Sequence, residues 1–492
     1  MMMKAGWKGL FLVSLVFAVF WGVICQPCLA AGKDPGAEQQ TEASDNPEDD
    51  LGDDFQDDLG GDFQDSPESI PVLPPAEPSY GEKNPVYKIG GHLKIGSGYN
   101  YAQDAPQPGQ TDWRGFSSLK SEVMLELDLK LSDSWKAFVS GSDSHDFIYR
   151  IHGRDHYTPE VLDDYESEVD LRKAYLQGKI LKNLDIKAGR QIVVWGKSDN
   201  IRVTDVLNPL EMREPGLTDL EDIRLPVAMT KLDFYYGKWG VSGIAVHEHR
   251  YNNNPVFGSD FYPYPTPPLD EQKPSASLDN TEYALAVNGI FSGWDISFYY
   301  ADIYDDEAHL ELLPNPALHH ERVYMLGSAV NIARGNWLYK AEGAYFDGIR
   351  ISDMMIGMMP IFNTREYSRI DFLAGVEYSG FTDTTVSVEA VNRYFTDFDR
   401  NLALSGEEEN RFQGAVRISR DFLNETLNLT FLALWYGLDG DDGLLFRVTG
   451  EYDLTDDIEM ICGIVDYNTG DLVEFSRIGN NDRIYANVKY SF

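Results

Sequence analysis

The sequence predicts an all-β fold: a transmembrane antiparallel β-barrel of about 18 strands, with about 16 as the alternative count. Three features indicate it. Apolar and polar residues alternate with a period of two through most of the chain after residue 83, tight turns alternate with long loops, and the chain ends on an alternating segment with a terminal phenylalanine. A two-residue period over long segments is typical of strands that face lipid on one side and water on the other.

Residues 1–30 have the pattern of a secretory signal peptide. Lys4 and Lys8 precede an apolar stretch from Leu10 to Ile24, and the small residue Ala30 follows. This order of basic, apolar and small residues is typical of a cleaved export signal. The apolar stretch is shorter than the roughly 20 residues that a membrane-spanning helix needs. We therefore expect an exported protein, in which cleavage would leave Cys462 as its one cysteine.

Residues 31–82 form a strongly acidic, proline-rich segment with little aliphatic material. A tandem octapeptide repeat occupies Asp50–Asp57 and Asp58–Asp65. Such a composition cannot bury enough apolar surface to offset the loss of chain entropy, so a disordered periplasmic linker is predicted. The alternative is a periplasmic tether or a binder of divalent cations, in which Phe55 and Phe63 contact a partner protein.

Residues 83–492 are predicted to form the barrel, and the alternation is clearest from Leu119 to Leu131. Apolar residues occupy one face of this segment and charged residues the other. The segment is about twice the 5 to 6 residues of an ordinary strand, and it suits a membrane strand of about 9 to 11 tilted residues. The charged residues assigned to the water-facing lumen are Lys120, Glu122, Glu126 and Asp128. The predicted strands span 86–102, 117–132, 134–151, 166–181, 183–194, 227–238, 239–250, 280–292, 293–304, 321–333, 335–347, 367–380, 381–396, 410–422, 425–437, 443–455, 456–467 and 482–492.

The connections between these strands alternate between tight turns and long loops. Short turns at one rim and long loops at the other are typical of outer-membrane barrels. An even strand number also places both ends of the barrel at the short-turn, periplasmic rim. The charged residues Lys173 and Arg190 fall on the outward phase, which predicts a register irregularity in the fourth and fifth strands.

The last predicted strand carries an assembly signal. Apolar residues occupy every second position up to Tyr490 and the terminal Phe492. This pattern resembles the signal that the barrel-assembly machinery reads, so that machinery and outer-membrane lipids are the expected partners. Lipid offers the backbone no hydrogen bonds, so the sheet must close on itself. A barrel of about sixteen to eighteen strands encloses water unless a segment folds into it, which makes a channel the default expectation.

The most distinctive stretch runs from Gly189 to Asp233. It contains Val-Trp-Gly-Lys-x-Asp-x-x-Arg-Val-x-Asp-Val-x-Asn-Pro from Val194 to Pro209, and Glu-Asp-x-Arg-x-Pro from Glu221 to Pro226. In these two motifs the chain resembles an uncharacterised porin-like family of proteobacterial outer-membrane β-barrel proteins. The resemblance implies a pore and, for some members, a role beside an export system for hydrophobic molecules. The acidic repeat is not a feature that it implies.

This stretch is also the third long loop, between predicted strands five and six. Long ordered loops tend to carry function, and the resemblance implies that this loop folds inward and narrows the pore. We predict a mixed-charge constriction, in which guanidinium groups bind carboxylates of the solute or of the loop. Its predicted members are Arg202, Asp205, Arg213, Glu214, Asp222 and Arg224. The alternative is an ion-pair network that only folds the loop against the wall.

Two other long loops, Phe257–Pro268 and Met354–Phe362, are apolar for an outward-facing surface. Methionine-rich surfaces adapt to apolar ligands. One hypothesis is therefore a hydrophobic lid, with a small hydrophobic or aromatic solute. The other is that these loops pack on one another inside the vestibule.

The net charge of −39 argues against nucleic acid as a partner. The sequence contains no serine-nucleophile or zinc-helix motif, and His247 and His249 share a strand face without a third ligand in the pattern, so no enzyme, cofactor or metal is predicted. Three functions stay open: a solute channel, a component of an export or lipid-handling system that works with an inner-membrane exporter or a periplasmic protein, and a structural or adhesive barrel. The sequence marks no oligomer interface.

Overall fold

The fold is a closed antiparallel barrel. The computed structural model describes residues 86–492 except residues 108, 219–221, 312–314 and 353–363. Within these ranges eighteen strands pair with their barrel neighbours in chain order, and the last strand pairs with the first. The bounds, including three short strands in the loops, are β1 Tyr87–Asn100, β2 Gly115–Lys130, β3 Trp135–Asp146, β4 Ser167–Leu181, β5 Leu184–Gln191, β6 Val227–Tyr236, β7 Trp239–Val246, β8 Glu271–Gln272, β9 Glu282–Phe291, β10 Trp294–Tyr304, β11 His309–Glu311, β12 Ala317–His319, β13 Arg322–Arg334, β14 Trp337–Ser352, β15 Thr364–Phe381, β16 Thr384–Phe395, β17 Asn410–Phe422, β18 Leu427–Tyr436, β19 Gly443–Thr455, β20 Ile458–Asn468 and β21 Arg483–Ser491.

The predicted barrel of eighteen strands is confirmed, and the alternative of sixteen is wrong. Several strand ends differ from the prediction by three to five residues, among them β7, which ends at Val246 rather than at 250, and β14, which extends to Ser352 rather than 347. Two further differences have local reasons. Strand β3 ends at Asp146 because the chain turns into a short helix at Ile148–His152. Strand β5 ends at Gln191 because the next residues leave the wall. The predicted segments 1–30 and 31–82 lie outside the described residues.

The barrel closes through its first and last strands. The register of β1 and β21 runs from His92 opposite Ser491 to Asn100 opposite Arg483. The amide of Phe492 donates to the carbonyl of Gly91 at 3.0 Å, and the amide of Gly91 donates back at 3.2 Å. The terminal residue therefore takes part in the seam. Closure leaves none of the eighteen described barrel strands with an edge facing lipid, where an unpaired backbone group would be costly.

The two faces of the strands differ as membrane insertion requires. In β2, Val123 and Leu125 are exposed on the outer face, while Glu122 and Asp128 on the other face are partly buried. Large apolar side chains are exposed in the same way on strands around the whole barrel. An outer apolar belt on a closed barrel is the arrangement found in the outer membrane of Gram-negative bacteria.

A register shift separates the two halves of the β3–β4 pairing. Ser140 pairs with Lys173 and Ser142 with Asp170, so one extra residue is inserted in β4. Such a bulge moves the following side chains to the opposite face. It places Lys173 on the face of the buried Ser140 rather than on the lipid face, which accounts for the irregular phase of the fourth strand.

The long loops contain a second, smaller sheet. Strands β11 and β12 form an antiparallel hairpin, and β8 pairs with β12 in parallel. This sheet lies in the connections that precede β9 and β13. In the part of the chain that the structure describes, no helix has both the length and the apolar character that crossing a membrane would require.

Candidate functional site

Residues 192–218 and 222–226, between β5 and β6, lie inside the barrel and are called here the inner loop. Its apolar side chains, among them Val193, Ile201 and Leu207, are buried against inward-facing residues of β6 to β17. The ring of Trp195 stacks on Tyr299 of β10 with 4.8 Å between centroids. We call this side of the lumen the packed half. Apolar burial of this kind stabilises the inner loop against one wall.

Two buried carboxylates on the packed half bind the backbone of the inner loop. Glu342 of β14 accepts from the amides of Lys197 at 2.5 Å and Ser198 at 2.7 Å, and from the hydroxyl of Thr204 at 2.8 Å. Glu389 of β16 accepts from the hydroxyl of Ser198 at 2.8 Å. Their side-chain environment is closed, because the exposed fractions are 2% for Glu342 and 1% for Glu389. Hydrogen bonds to an ionised acceptor are about twice as strong as neutral ones.

Glu389 also accepts from the amides of Asp199 at 2.9 Å and Asn200 at 3.0 Å. The backbone turns tightly between the two carboxylates, and Gly196 adopts a φ of +87° there. A Cβ atom at Gly196 would lie 2.8 Å from a carboxylate oxygen of Glu342, so only glycine fits. The Trp-Gly-Lys-x-Asp part of the motif therefore forms a backbone site for two wall carboxylates.

Ion pairs also connect the turn around Gly196 to strands of the packed half. Lys197 lies 2.5 Å from Asp295 of β10, and Asp199 binds Lys340 of β14. Both charged motif side chains thus pair with the wall of the packed half.

Three of the six predicted constriction residues lie together and bind the inner loop itself. Arg224 donates to Asp205 at 2.7 Å, and Arg202 lies 3.4 Å from the same carboxylate oxygen. Arg202 also donates to the carbonyls of Asp205 and Asn208. Asp205 is buried and accepts from the amide of Trp195 at 3.2 Å. These contacts hold the inner loop in its fold.

The other three predicted residues lie toward the opposite wall. Arg213 donates to Glu168 of β4 at 2.9 Å and to Glu211 at 2.8 Å. Glu214 lies 3.8 Å from Arg483 of β21. Asp222 has 65% of its side chain exposed and lies 3.6 Å from an Arg172 nitrogen. The structure therefore divides the six residues into separate groups.

A polar cavity of about 120 Å³ lies between the inner loop and strands β2, β3 and β21. We call this side the polar half: the inward faces of β1 to β4 and β21. Arg213 and Glu214 line the cavity from the inner loop, and the predicted lumen residue Lys120 lines it from the wall. Asp146 and Arg483 complete the wall. Charges of both signs thus face one water-accessible space.

Arg483 is the centre of the charge network at this cavity. It is 3% exposed, lies 2.6 Å from Asp260 and stacks 4.5 Å above the ring centre of Phe261. Glu214 presents 43% of its side chain to the cavity, yet desolvation inside the barrel raises its pKa, with Arg483 acting in the opposite direction. Desolvation also raises the pKa of Glu211, but the hydrogen bonds and charge of Arg213 outweigh it and the net pKa is lowered.

The remaining predicted lumen residues lie along the same wall. Glu122 contacts His92 at 3.1 Å and Lys94 at 3.6 Å, and both partners belong to β1. Glu126 and Asp128 lie opposite Ser140 and Phe138 of β3 in the β2–β3 register. The assembly-signal residues Tyr490 and Phe492 are exposed on the outer face of the seam.

The first of the two apolar loops is partly buried. Phe261, in the run Phe257–Pro268, is buried and meets Tyr467 of β20 at 5.6 Å between ring centroids, whereas Tyr264 is exposed. Part of this run therefore packs inside the vestibule. The run Met354–Phe362 lies outside the described residues.

Sequence reasoning located the inner loop but missed several of its partners. Glu342 and Glu389 lie about 140 to 190 positions away in the chain from the amides they bind. Asp260 is likewise far from Arg483 in sequence. The inward phase of each glutamate on its strand shows that it faces the lumen, and nothing in that phase shows which amides it binds.

The closed eighteen-strand barrel, its outer apolar belt and its occupied lumen define a porin-type barrel of the outer membrane. The chain belongs to the family described as "Protein of unknown function (DUF1302)", whose model matches residues 109–492. An uncharacterised family was predicted, and this match confirms it. No curated protein matches the chain in sequence.

Solved outer-membrane proteins share the fold. OccAB1 of Acinetobacter baumannii is 11% identical, with a TM-score of 0.50, and the match covers 82% of this chain and 96% of that one. OccK8 (OprE) of Pseudomonas aeruginosa is 11% identical, with a TM-score of 0.47 and coverage of 82% and 97%. At this level of identity the likeness to OccAB1 establishes the architecture alone.

Proposed function

We propose that this protein is an outer-membrane channel for small solutes, in which the inner loop forms the constriction. The observation that carries the proposal is the polar cavity between the inner loop and strands β2, β3 and β21. A barrel of this size has room for an aqueous path beside an inserted segment. The inner loop seals the packed half, so the solute path runs along the polar half.

The composition of the cavity suggests the kind of solute. Five carboxylates line the cavity against three basic side chains, and two of these, Arg213 and Arg483, are already paired with acidic residues, so the cavity suits a cationic group on the solute. Trp113, Tyr149 and Tyr165 add aromatic surface to the same cavity. We infer that the solute is small and carries an aromatic or apolar part together with an ionised group. The aromatic or apolar part of the solute agrees with the expectation from the sequence, and the ionised group is inferred from the cavity.

The six constriction residues have separate tasks in this proposal. Arg213 and Glu214 contact the solute path, because both line the cavity. Arg202, Asp205 and Arg224 act through the shape of the inner loop, because their charges are satisfied within it. Asp222 acts at the edge of the path beside Arg172.

Single-channel recording of the purified barrel in planar bilayers tests the proposal. We expect discrete conductance steps, and a larger conductance when residues 201–224 are replaced by a short glycine-serine linker. Arg213→Ala should shift the reversal potential in a salt gradient, because it removes a charge from the cavity. Arg365→Ala, which removes a charge paired with Asp399 in a long-loop region, is the matched control.

The other two functions give different recordings. A structural or adhesive barrel would show no steps in its natural form. An export component would conduct only together with its inner-membrane or periplasmic partner. Equal conductance before and after loop replacement would contradict the role of the inner loop as the constriction.

A further inference from the structure

The hairpin of β11 and β12 carries four potential metal ligands on one face. His309 and Glu311 are two residues apart on β11, so their side chains share a face of the strand. His309 lies directly opposite His319 of β12, which places His319 on that face as well. Glu321 follows His319 by two residues, and its donor oxygen completes the group with His309 and Glu311.

The distances between the donor atoms suit a single ion. The Nε2 atom of His309 lies 3.4 Å from an oxygen of Glu311, and the Nε2 atom of His319 lies 4.0 Å from the other oxygen. Donor atoms of His309, Glu311 and Glu321 all lie within 4.8 Å of one another. Zinc bonds of about 2.0 to 2.2 Å in tetrahedral geometry put neighbouring donors roughly 3.4 Å apart. His309, Glu311 and Glu321 approach that separation as a group, and His319 approaches it through its contact with Glu311.

The opposite face of the hairpin is already occupied by fixed contacts. The Nδ1 atom of His320 donates to the carbonyl of Asp305 at 2.7 Å, and its Nε2 atom lies 2.6 Å from a carboxylate oxygen of Glu271 of β8. Its ring stacks on Tyr251 with 3.4 Å between centroids. The neighbouring carbonyl of Leu310 accepts from Thr364 of β15 at 3.4 Å. The four donors are therefore presented by an element that is anchored to the barrel wall, as a preformed site requires.

We propose that His309, Glu311, His319 and Glu321 form a binding site for a divalent transition-metal ion of the zinc type. Two imidazoles and two carboxylates are a ligand set that zinc prefers, whereas calcium prefers roughly six to eight oxygen ligands. The two carboxylates also balance the charge of a divalent cation. This site stands apart from the solute path, and it does not depend on the proposed channel function.

The proposal departs from the sequence-based expectation of no metal. In the sequence, His309-Leu-Glu311 and His319-His-Glu321 are two short pairs in different segments, and neither pair alone makes a site. Only the direct opposition of His309 and His319 in the hairpin register joins them. A bound ion would cross-link the two strands of the hairpin at the long-loop rim of the barrel.

Calorimetric titration of the full-length, chelator-treated barrel in detergent with ZnCl₂ tests the site. We expect one zinc-binding step per chain that saturating CaCl₂ does not abolish, and visible absorption bands of a four-coordinate centre with CoCl₂; the calcium occupies any sites in the acidic repeat and leaves the hairpin site free for zinc. Absence of zinc binding to the natural protein would overturn the proposal.

Substitutions then assign the ligands. Loss of an outer-sphere partner of a metal ligand weakens metal affinity by up to roughly 100-fold. His309→Ala removes a direct ligand and should weaken zinc binding by more than that. Glu321→Gln keeps the shape of the side chain and should also weaken zinc binding. His247→Ala removes a histidine whose contact is Thr230, outside the hairpin, and should leave the affinity unchanged. Heat-modifiable migration on gels reports whether each variant folds. Unchanged affinity in a folded Glu321→Gln barrel, or equal losses in His309→Ala and His247→Ala, would also overturn the proposal.

Discussion

The packed half and the polar half of the lumen are built from the same strand geometry but from different side chains. On the packed half, small apolar inward residues such as Ala286 and Ala301 leave space that the inner loop fills. On the polar half, Lys120 and Arg483 keep a charged space beside the same loop. One inserted segment thus closes one side of the barrel and borders a polar cavity on the other. Removing an anchor on the packed half should therefore change pore size, whereas changes on the polar half should alter selectivity.

The largest effect is expected from Glu342→Ala combined with Glu389→Ala. Each change leaves several buried loop amides without their charged acceptor, and hydrogen bonds to charged groups contribute about 1.5 to 3 kcal/mol each. The inner loop should leave the packed half, and single-channel conductance should rise. Glu459→Gln, which affects a lumen ion pair with Lys489 away from the inner loop, is the control. Unchanged conductance in the double variant would show that these carboxylates do not hold the inner loop.

A smaller effect is expected from Trp195→Ala. Loss of a buried tryptophan costs about 3 to 5 kcal/mol in a well-packed core, and here it also removes the stack on Tyr299. Limited proteolysis should cleave the inner loop faster, while the barrel itself stays resistant. Trp294→Ala is the comparison, because Trp294 is exposed on the outer face and stacks on Phe291. Equal rates of proteolysis for the two variants would contradict a role of the Trp195–Tyr299 stack in holding the inner loop.

A pH effect on selectivity is expected from Glu214 on the polar half. Because its pKa in the folded protein is raised above the usual glutamate value of 4.5, it takes up a proton as the pH falls while ordinary glutamates are still ionised. Cation selectivity should decline in that window, and the folded state should gain relative stability there, because it binds the proton more tightly than the unfolded chain. Glu214→Gln should remove this component of the pH dependence of the reversal potential. An identical pH profile in the variant would contradict the assignment.

The sequence patterns predicted the barrel fold more completely than the contacts of the candidate site, and the reason is physical. The alternation along β2 arises because lipid lies on one face and water on the other. The face of a residue such as Val123 or Glu122 can therefore be predicted from its immediate neighbours in the sequence. The stretch around Trp195 was recognisable as an ordered loop from its length and charged composition and from its resemblance to a family motif. By contrast, the partnership of Glu342 with the amide of Ser198 depends on how the barrel curves, and no local pattern encodes it. The pairing of Arg483 with Asp260 depends in the same way on barrel closure.

The histidine hairpin shows the same limit. The adjacent pair His319-His320 is visible in the sequence, but strand geometry sends the two rings to opposite faces. One ring meets His309 and the other meets Glu271. Residue types were therefore predictable, and their grouping was not.

Modification of engineered cysteines tests most directly the claim that solute passes along the polar half. In a Cys462→Ser background, Ser118→Cys places a thiol at the cavity, whereas Ala286→Cys places one in the buried core of the packed half. A charged methanethiosulfonate reagent added during single-channel recording should reduce the conductance of the Ser118→Cys barrel and leave the Ala286→Cys barrel unchanged. Block at Ala286→Cys together with no block at Ser118→Cys would contradict the account.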